Sequence, residues 1–122
     1  MLNNEKNTKV KGSQYEDDAA RYLVDDGWKI EARNYTFHKG EIDIIAREGE
    51  TLVFVEVRMK ESDAYGLPEE SFTQHKIKTV KKTAEGYLFE NKIEDVACRF
   101  DVIAIVLSDG GKIHINHIRD AF

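Results

Sequence analysis

Apolar residues recur along this chain with two periods. From Ser13 to Asp26, Tyr15, Ala19, Tyr22 and Leu23 form one stripe at about 100° per residue. Asp17, Asp18, Arg21 and Asp25 lie opposite. This predicts an amphipathic helix with Ser13 as its N-cap and Gly27 as its stop. A second helical pattern covers about 69–90, with Phe72, Val80, Ala84 and Tyr87 as the inward stripe and Ile77 flanking it. Elsewhere the period is two. Strands are predicted at 28–35, at 41–46 after Gly40, and at 51–58 after the Glu48-Gly49-Glu50 turn. A β-branched run at 99–107, a turn at Ser108-Asp-Gly-Gly111 and a returning strand at 112–117 complete the chain.

The order is helix, three strands, helix, two strands. Short links between the first three strands predict an antiparallel meander, and the long second helix can act as a crossover into a parallel pair. Leu52–Val57 and Val102–Leu107 are apolar on both faces, as expected of central strands covered by helices on each side. The expected fold is α/β, a three-layer sandwich with a mixed sheet of about five strands.

Length and composition narrow the setting. A chain of 122 residues is one domain's worth and buries roughly two thirds of its unfolded surface without staples. Residues 1–12 carry three lysines and read as a flexible basic arm ahead of a single domain at 13–122. One cysteine, Cys98, excludes an intrachain disulfide and a Cys-based zinc site, and it reads as a buried small hydrophobe. Neither an apolar leader nor a spanning run is visible, so a cytoplasmic protein away from membranes is expected. The net charge of −5 and pI near 5.4 argue against coating nucleic acid by bulk charge. The charge is uneven, however. Residues 13–26 and 41–58 are acidic, whereas 1–12 and 76–82 are basic.

The informative residues are charges where the pattern wants apolar groups. Glu16 falls at the edge of the first helix's inward face. It is either a helix-start carboxylate favoured by the dipole or a group aimed at a site. Asp43 shares a strand face with Glu41 and Ile45, while Ile42 and Ile44 share the other. Glu56 and Arg58 continue the face of Leu52 and Phe54. A lone buried carboxylate there is costly, and a Glu56–Arg58 ion pair is the simple structural alternative. Lys76 lies inside the second helix's apolar stripe, where it either snorkels outward or serves a site. One constellation accounts for all four: Asp43 and Glu56 side by side on neighbouring strands, Glu16 approaching from the helix, and a hard divalent ion such as Mg²⁺ or Mn²⁺ between them. Arg58 and Lys76 then offer positive charge to a phosphate, and the chemistry is metal-assisted phosphodiester hydrolysis. The histidines, His38, His75, His114 and His117, have no metal-ligand spacing and read as surface or hydrogen-bonding groups. Asp101 reads as a cap or salt-bridge partner.

Several motifs together resemble the YraN family of small bacterial proteins: Gly40-Glu-Ile-Asp-Ile-Ile-Ala46, Val53-Phe-Val-Glu-Val-Arg58 and Arg99-Phe-Asp-Val-Ile103. Glu16-Asp-Asp-Ala-Ala20, Arg33-Asn34, Lys76, Tyr87-Leu88 and His117-Ile-Arg-Asp-Ala-Phe122 match as well, so the resemblance covers about 12–122. It implies a restriction-endonuclease-like (PD-(D/E)xK) fold, similar to archaeal Holliday-junction resolvases. Carried over by position, Asp43, Glu56 and Glu16 are the acidic residues and metal ligands. The lysine of that pattern is Arg58 here, which can hold phosphate or orient water but cannot act as a base. Lys60, on the same strand face, and Lys76 are the lysines that can replace it.

The leading expectation is therefore a Mg²⁺-dependent endonuclease-like protein acting on DNA, branched DNA included. The catalytic set is Glu16, Asp43, Glu56 and Arg58, with Arg58, Lys60 and Lys76 on the phosphate. Two alternatives stay open: a non-catalytic nucleic-acid-binding module, and a protein–protein adaptor whose charges form a structural network. By analogy with the resolvases, a homodimer is the expected assembly.

Overall fold

A computed structural model of the protein describes residues 4–60 and 72–122. The chain runs through α1 (Asn4–Asp25), β1 (Lys29–Phe37), β2 (Gly40–Glu48), β3 (Thr51–Lys60), α2 (Gln74–Glu90), β4 (Cys98–Leu107) and β5 (Ile113–Ile118). The strands form one sheet in sequence order. All neighbours are antiparallel except β3 and β4, which are parallel. The expected meander and crossover are thus present, with α2 supplying the length a parallel return needs.

The two helices cover opposite faces. On one, Ala19 and Leu23 of α1 pack with Trp28, Ile44, Val53, Val55, Ile103 and Ile105. On the other, Val80, Ala84 and Tyr87 of α2 pack on Ile42, Ile45, Leu52 and Phe54. The result is the three-layer α/β sandwich expected. β3 lies at its centre, buried without a break from Leu52 to Glu56. Each fully buried Leu, Ile, Val or Phe contributes roughly 1.5–3 kcal/mol, so the sheet centre dominates the stability.

Two glycines set how closely α2 sits on the sheet. A Cβ on Gly40 would lie 1.8 Å from Thr83 Oγ1, and one on Gly86 would lie 2.4 Å from the Phe37 ring. Both contacts tie the β1–β2 turn to α2.

Four details differ from the sequence reading. α1 starts at Asn4, so Ser13 is not its cap and residues 4–12, read as an arm, continue the helix. No proline interrupts that stretch. Gly27, at φ 89°, ends α1 as expected, with Trp28 N–H donating to the Leu23 carbonyl. α2 starts at Gln74 because the Thr73 hydroxyl accepts the Lys76 N–H at 3.1 Å; residues 69–71 of the predicted helix lie outside the described residues. Cys98 is exposed, since it opens β4 at the end of the sheet. Ile42 joins Ile45 on the α2 face instead of sharing a face with Ile44. Strict alternation fails at Asp43.

Candidate active site

That failure of alternation builds the site. The β2–β3 ladder runs from Glu48↔Thr51 to Ile44↔Val55 and stops there. Beyond it the two strands part, and the Asp43 carboxylate replaces the missing ladder partner: its Oδ2 accepts the Val57 N–H at 2.8 Å. On the other side of β2, the facing residue of β1, Asn34, takes a left-handed conformation at φ 53°. Asn tolerates that region at low cost. A groove of about 500 Å³ opens where the strands part, bounded by α2 and lined by Glu41, Asp43, Glu56, Arg58 and Lys76 among others.

Glu56 is the unusual group in it. The residue is only 7% exposed, and its Oε1 is buried without a hydrogen-bond partner. Burial, and then the neighbouring Asp43 charge, push its carboxyl up to about 8, although Lys76 and Arg58 pull the other way. Asp43 is raised too, first by burial, while the Val57 N–H holds it back. Two carboxylates are thus brought together in one groove without enough donors to satisfy both.

The cations that face them are held by a ring. The Arg58 guanidinium lies 4.6 Å from the Phe72 centroid and Lys76 Nζ lies 5.6 Å from it. These are cation–π distances. Glu56 Oε1 and Arg58 Nε are both buried without a partner, so neither atom makes the Glu56–Arg58 ion pair that strand spacing allows. Phe72, read from the sequence only as a core residue, is therefore part of the site. It leans in turn on Phe122, at 5.1 Å between centroids.

Glu16 stands apart from this pair. It is half-buried on α1 and does not line the groove. With its amide nitrogen turned toward them, Asn34 donates to Glu16 Oε1 at 2.8 Å and to Glu41 Oε1 at 3.2 Å. Burial and the Asp43 charge raise the Glu16 carboxyl. Glu16 therefore feels the site electrostatically while being tied to Asn34. Among the described residues, no three His, Cys, Asp or Glu side chains stand together in a metal-holding group. Of the three carboxylates expected from the sequence, Asp43 and Glu56 line the groove and Glu16 does not. Lys60 does not line the groove, and its Nζ is buried without a partner. Glu41 and Asn34 were the residues missed. Asn34 carried a signal, because a polar residue that tolerates left-handed backbone had interrupted a strand pattern.

A hard divalent cation fits what remains. Such an ion needs one or two carboxylates and completes its shell with water and substrate phosphate. Glu56 Oε1 has no protein donor to give up, and a cation between the two carboxylates would relieve their repulsion.

The other buried acid of the sheet behaves differently. Asp101, fully buried on β4, accepts Arg99 Nε at 2.8 Å, Arg99 Nη2 at 2.9 Å and the Asp120 N–H at 3.0 Å. His117 Nε2 lies 2.8 Å from it, and His117 Nδ1 lies 3.1 Å from the Tyr22 hydroxyl. A neutral imidazole with its proton on Nε2 satisfies both neighbours. Arg99 and Arg119 extend the network to Glu48, and each guanidinium lies 5.5 Å from the Trp28 ring. This is the salt-bridge role expected of Asp101 and the hydrogen-bonding role expected of His117.

Comparison with known proteins places the chain. The model of "Uncharacterised protein family UPF0102" matches residues 15–105. A UPF0102 protein of Persephonella marina is 44% identical over 113 residues, covering 93% of each chain. One from Trichlorobacter lovleyi is 40% identical over 118 residues, with 96% of this chain and 93% of the relative covered. One from Chlorobaculum tepidum is 44% identical over 116 residues, with 91% and 90% covered. These matches take in Glu16, the Gly40–Ala46 run, the Val53–Arg58 run and Lys76, and the chain belongs to the UPF0102 (YraN) family.

Proposed function

We propose that this protein is a divalent-cation-dependent endonuclease acting on DNA phosphodiesters, branched DNA included, on a restriction-endonuclease-like scaffold. The observation that carries this reading is the convergence of Asp43 and Glu56 with Arg58 and Lys76 in one groove, with Glu56 Oε1 left unpaired. Acids and bases that were meant only to stabilise the fold would neutralise one another, as those around Asp101 do.

In this reading Asp43 and Glu56 hold Mg²⁺ or Mn²⁺. When bound, the ion lowers the pKa of a water and offsets the charge that develops on the phosphate. Arg58 and Lys76 take the phosphate's oxygens. Arg58 presents a planar fork of donors and stays protonated, so it holds charge and moves no proton. Phe72 keeps both cations at the groove, where no carboxylate of the described residues forms an ion pair with them. Glu41 and Glu16, linked through Asn34, add negative potential on the acidic side and favour the cation.

The test is incubation of labelled linear, flapped and four-way-junction DNA with and without Mn²⁺, beside Glu56→Ala and Asp43→Ala. Cleavage should require the ion and fall by about 100-fold or more in each variant. Retention of DNA with no cutting of any substrate would replace this reading with a non-catalytic binding module. Failure to cut or retain any of them would leave the adaptor.

A further inference from the structure

We infer that the recess beside the acidic groove is a docking subsite for an unpaired nucleotide of the substrate strand, held by His38, Lys39 and Lys82. The inference rests on the nuclease reading for why a strand is present, but its binding can be measured separately.

A second cavity, of about 570 Å³, is lined by Phe37, His38, Lys39, Gly40, Thr79, Lys82 and Thr83. It shares Lys39, Gly40 and Thr79 with the acidic groove, so the two adjoin. Its walls are firmly seated. The two-residue turn between Phe37 and Gly40 is pinned to α2 by Gly86 under the Phe37 ring and by Gly40 against Thr83. His38 stands edge-on to Phe37, with ring centroids 4.3 Å apart, and is itself exposed.

Charge separates the two cavities. Glu41, Asp43 and Glu56 line the first, against Lys39, Arg58 and Lys76. Among the described residues, no carboxylate lines the second, which has Lys39 and Lys82. A polyanion therefore meets only positive side chains in the recess, whereas in the groove three carboxylates offset three cations. Shape and chemistry then select the occupant. The volume suits one nucleotide rather than a duplex. An aromatic rim can stack a base only when that base has left its own stack. The geometry thus joins a phosphate contact at Lys39 and Lys82 to a base contact at His38 and Phe37.

The experiment is fluorescence anisotropy of a labelled single strand and its blunt duplex, in EDTA and again in Ca²⁺, across a salt series. Lys39→Ala/Lys82→Ala should weaken single-strand binding about tenfold and lower the log–log salt slope by about 1.4. His38→Ala should weaken it by about fivefold with the slope unchanged. Lys78→Ala/Lys81→Ala removes the same charge from a separate recess of α2 and should change little. Equal losses in the two double variants would mean bulk charge and overturn the inference. So would duplex binding as tight as single-strand binding, or no binding by the wild-type chain. A wild-type chain with this binding pattern that never cuts sinks the nuclease reading and leaves the subsite standing. A cutting enzyme indifferent to Lys39 and Lys82 does the reverse.

Discussion

Two buried carboxylates stand one register position apart on neighbouring strands and lead opposite lives. Asp101 of β4 pairs with Val55 of β3, and Glu56 follows Val55. Asp101 faces the α1 side and Glu56 the α2 side. Burial alone would raise the Asp101 carboxyl, but hydrogen bonds from His117, Arg99 and the Asp120 N–H hold it well below the usual range. Burial raises Glu56 to about 8, and nothing hydrogen-bonds its Oε1. Similar burial thus gives opposite protonation tendencies, and the donor supply decides which. A satisfied buried charge fixes a structure; an unsatisfied one in a groove is a candidate for binding something else.

The largest test of that contrast is Asp101→Asn beside Glu56→Gln. The first weakens the charge-assisted hydrogen bonds from Arg99 and His117, leaving Arg99 only Glu48 as a carboxylate partner, and should cost about 3 kcal/mol in denaturant unfolding. The second puts a neutral amide where burial already favours the protonated carboxyl in the absence of a divalent ion, and should cost little at neutral pH. Comparable losses in both would show that Glu56 is as structural as Asp101.

The pH dependence sharpens the same point, with a smaller effect. In protein stripped of divalent ions, Glu56 binds its proton more tightly folded than unfolded. Its contribution is therefore full below about pH 4.5 and lost as pH rises through about 8. Asp101, held low, contributes above its unfolded value near 3.8, and that contribution is lost as pH falls through its folded value. Stability should fall on both sides of a maximum. Glu56→Gln should flatten the alkaline side and gain about 1–3 kcal/mol at pH 9, read from unfolding midpoints. Mn²⁺ at about 100 times its Kd should stabilise the wild-type chain by about 2.7 kcal/mol and the Gln variant by much less. Equal alkaline limbs in the two chains would remove Glu56 as the source.

Most of the fold was legible because its signals are local. Periodicity located both helices and all five strands, and the apolar runs at Leu52–Val57 and Val102–Leu107 marked the centre of the sheet. Asp43, Glu56 and Lys76 were legible for the complementary reason, as charges breaking an apolar pattern. What was not legible depends on where the backbone departs from ideal geometry. The β2–β3 ladder ends at Ile44↔Val55 and Asn34 turns left-handed, and together these move Ile42 to the other face and bring Glu41 to the groove. A period of two assumes that neither happens. Glu16 illustrates the limit of helical angles, which place it at an inward edge without saying that Asn34 would take its carboxylate.

The subtlest difference between the two charge clusters is what holds their arginines. Arg99 is fixed by carboxylates, with Trp28 beside it, whereas Arg58 is held over Phe72 with its Nε unpaired. A cation–π contact is worth about 0.5–1 kcal/mol where exposed and about 2 when desolvated, and it leaves the guanidinium's edge donors unused. Phe72→Leu should therefore reduce cleavage or DNA retention by about three- to tenfold, through Arg58 and Lys76 losing their aim. Phe72→Tyr keeps the ring face and should restore most of it. Because leucine also thins the packing against Phe122, unfolding is measured on both variants. Equal function in the Leu and Tyr variants at unequal stability would make Phe72 a core residue alone. Unequal function at comparable stability would show that the ring itself keeps these cations free for a phosphate.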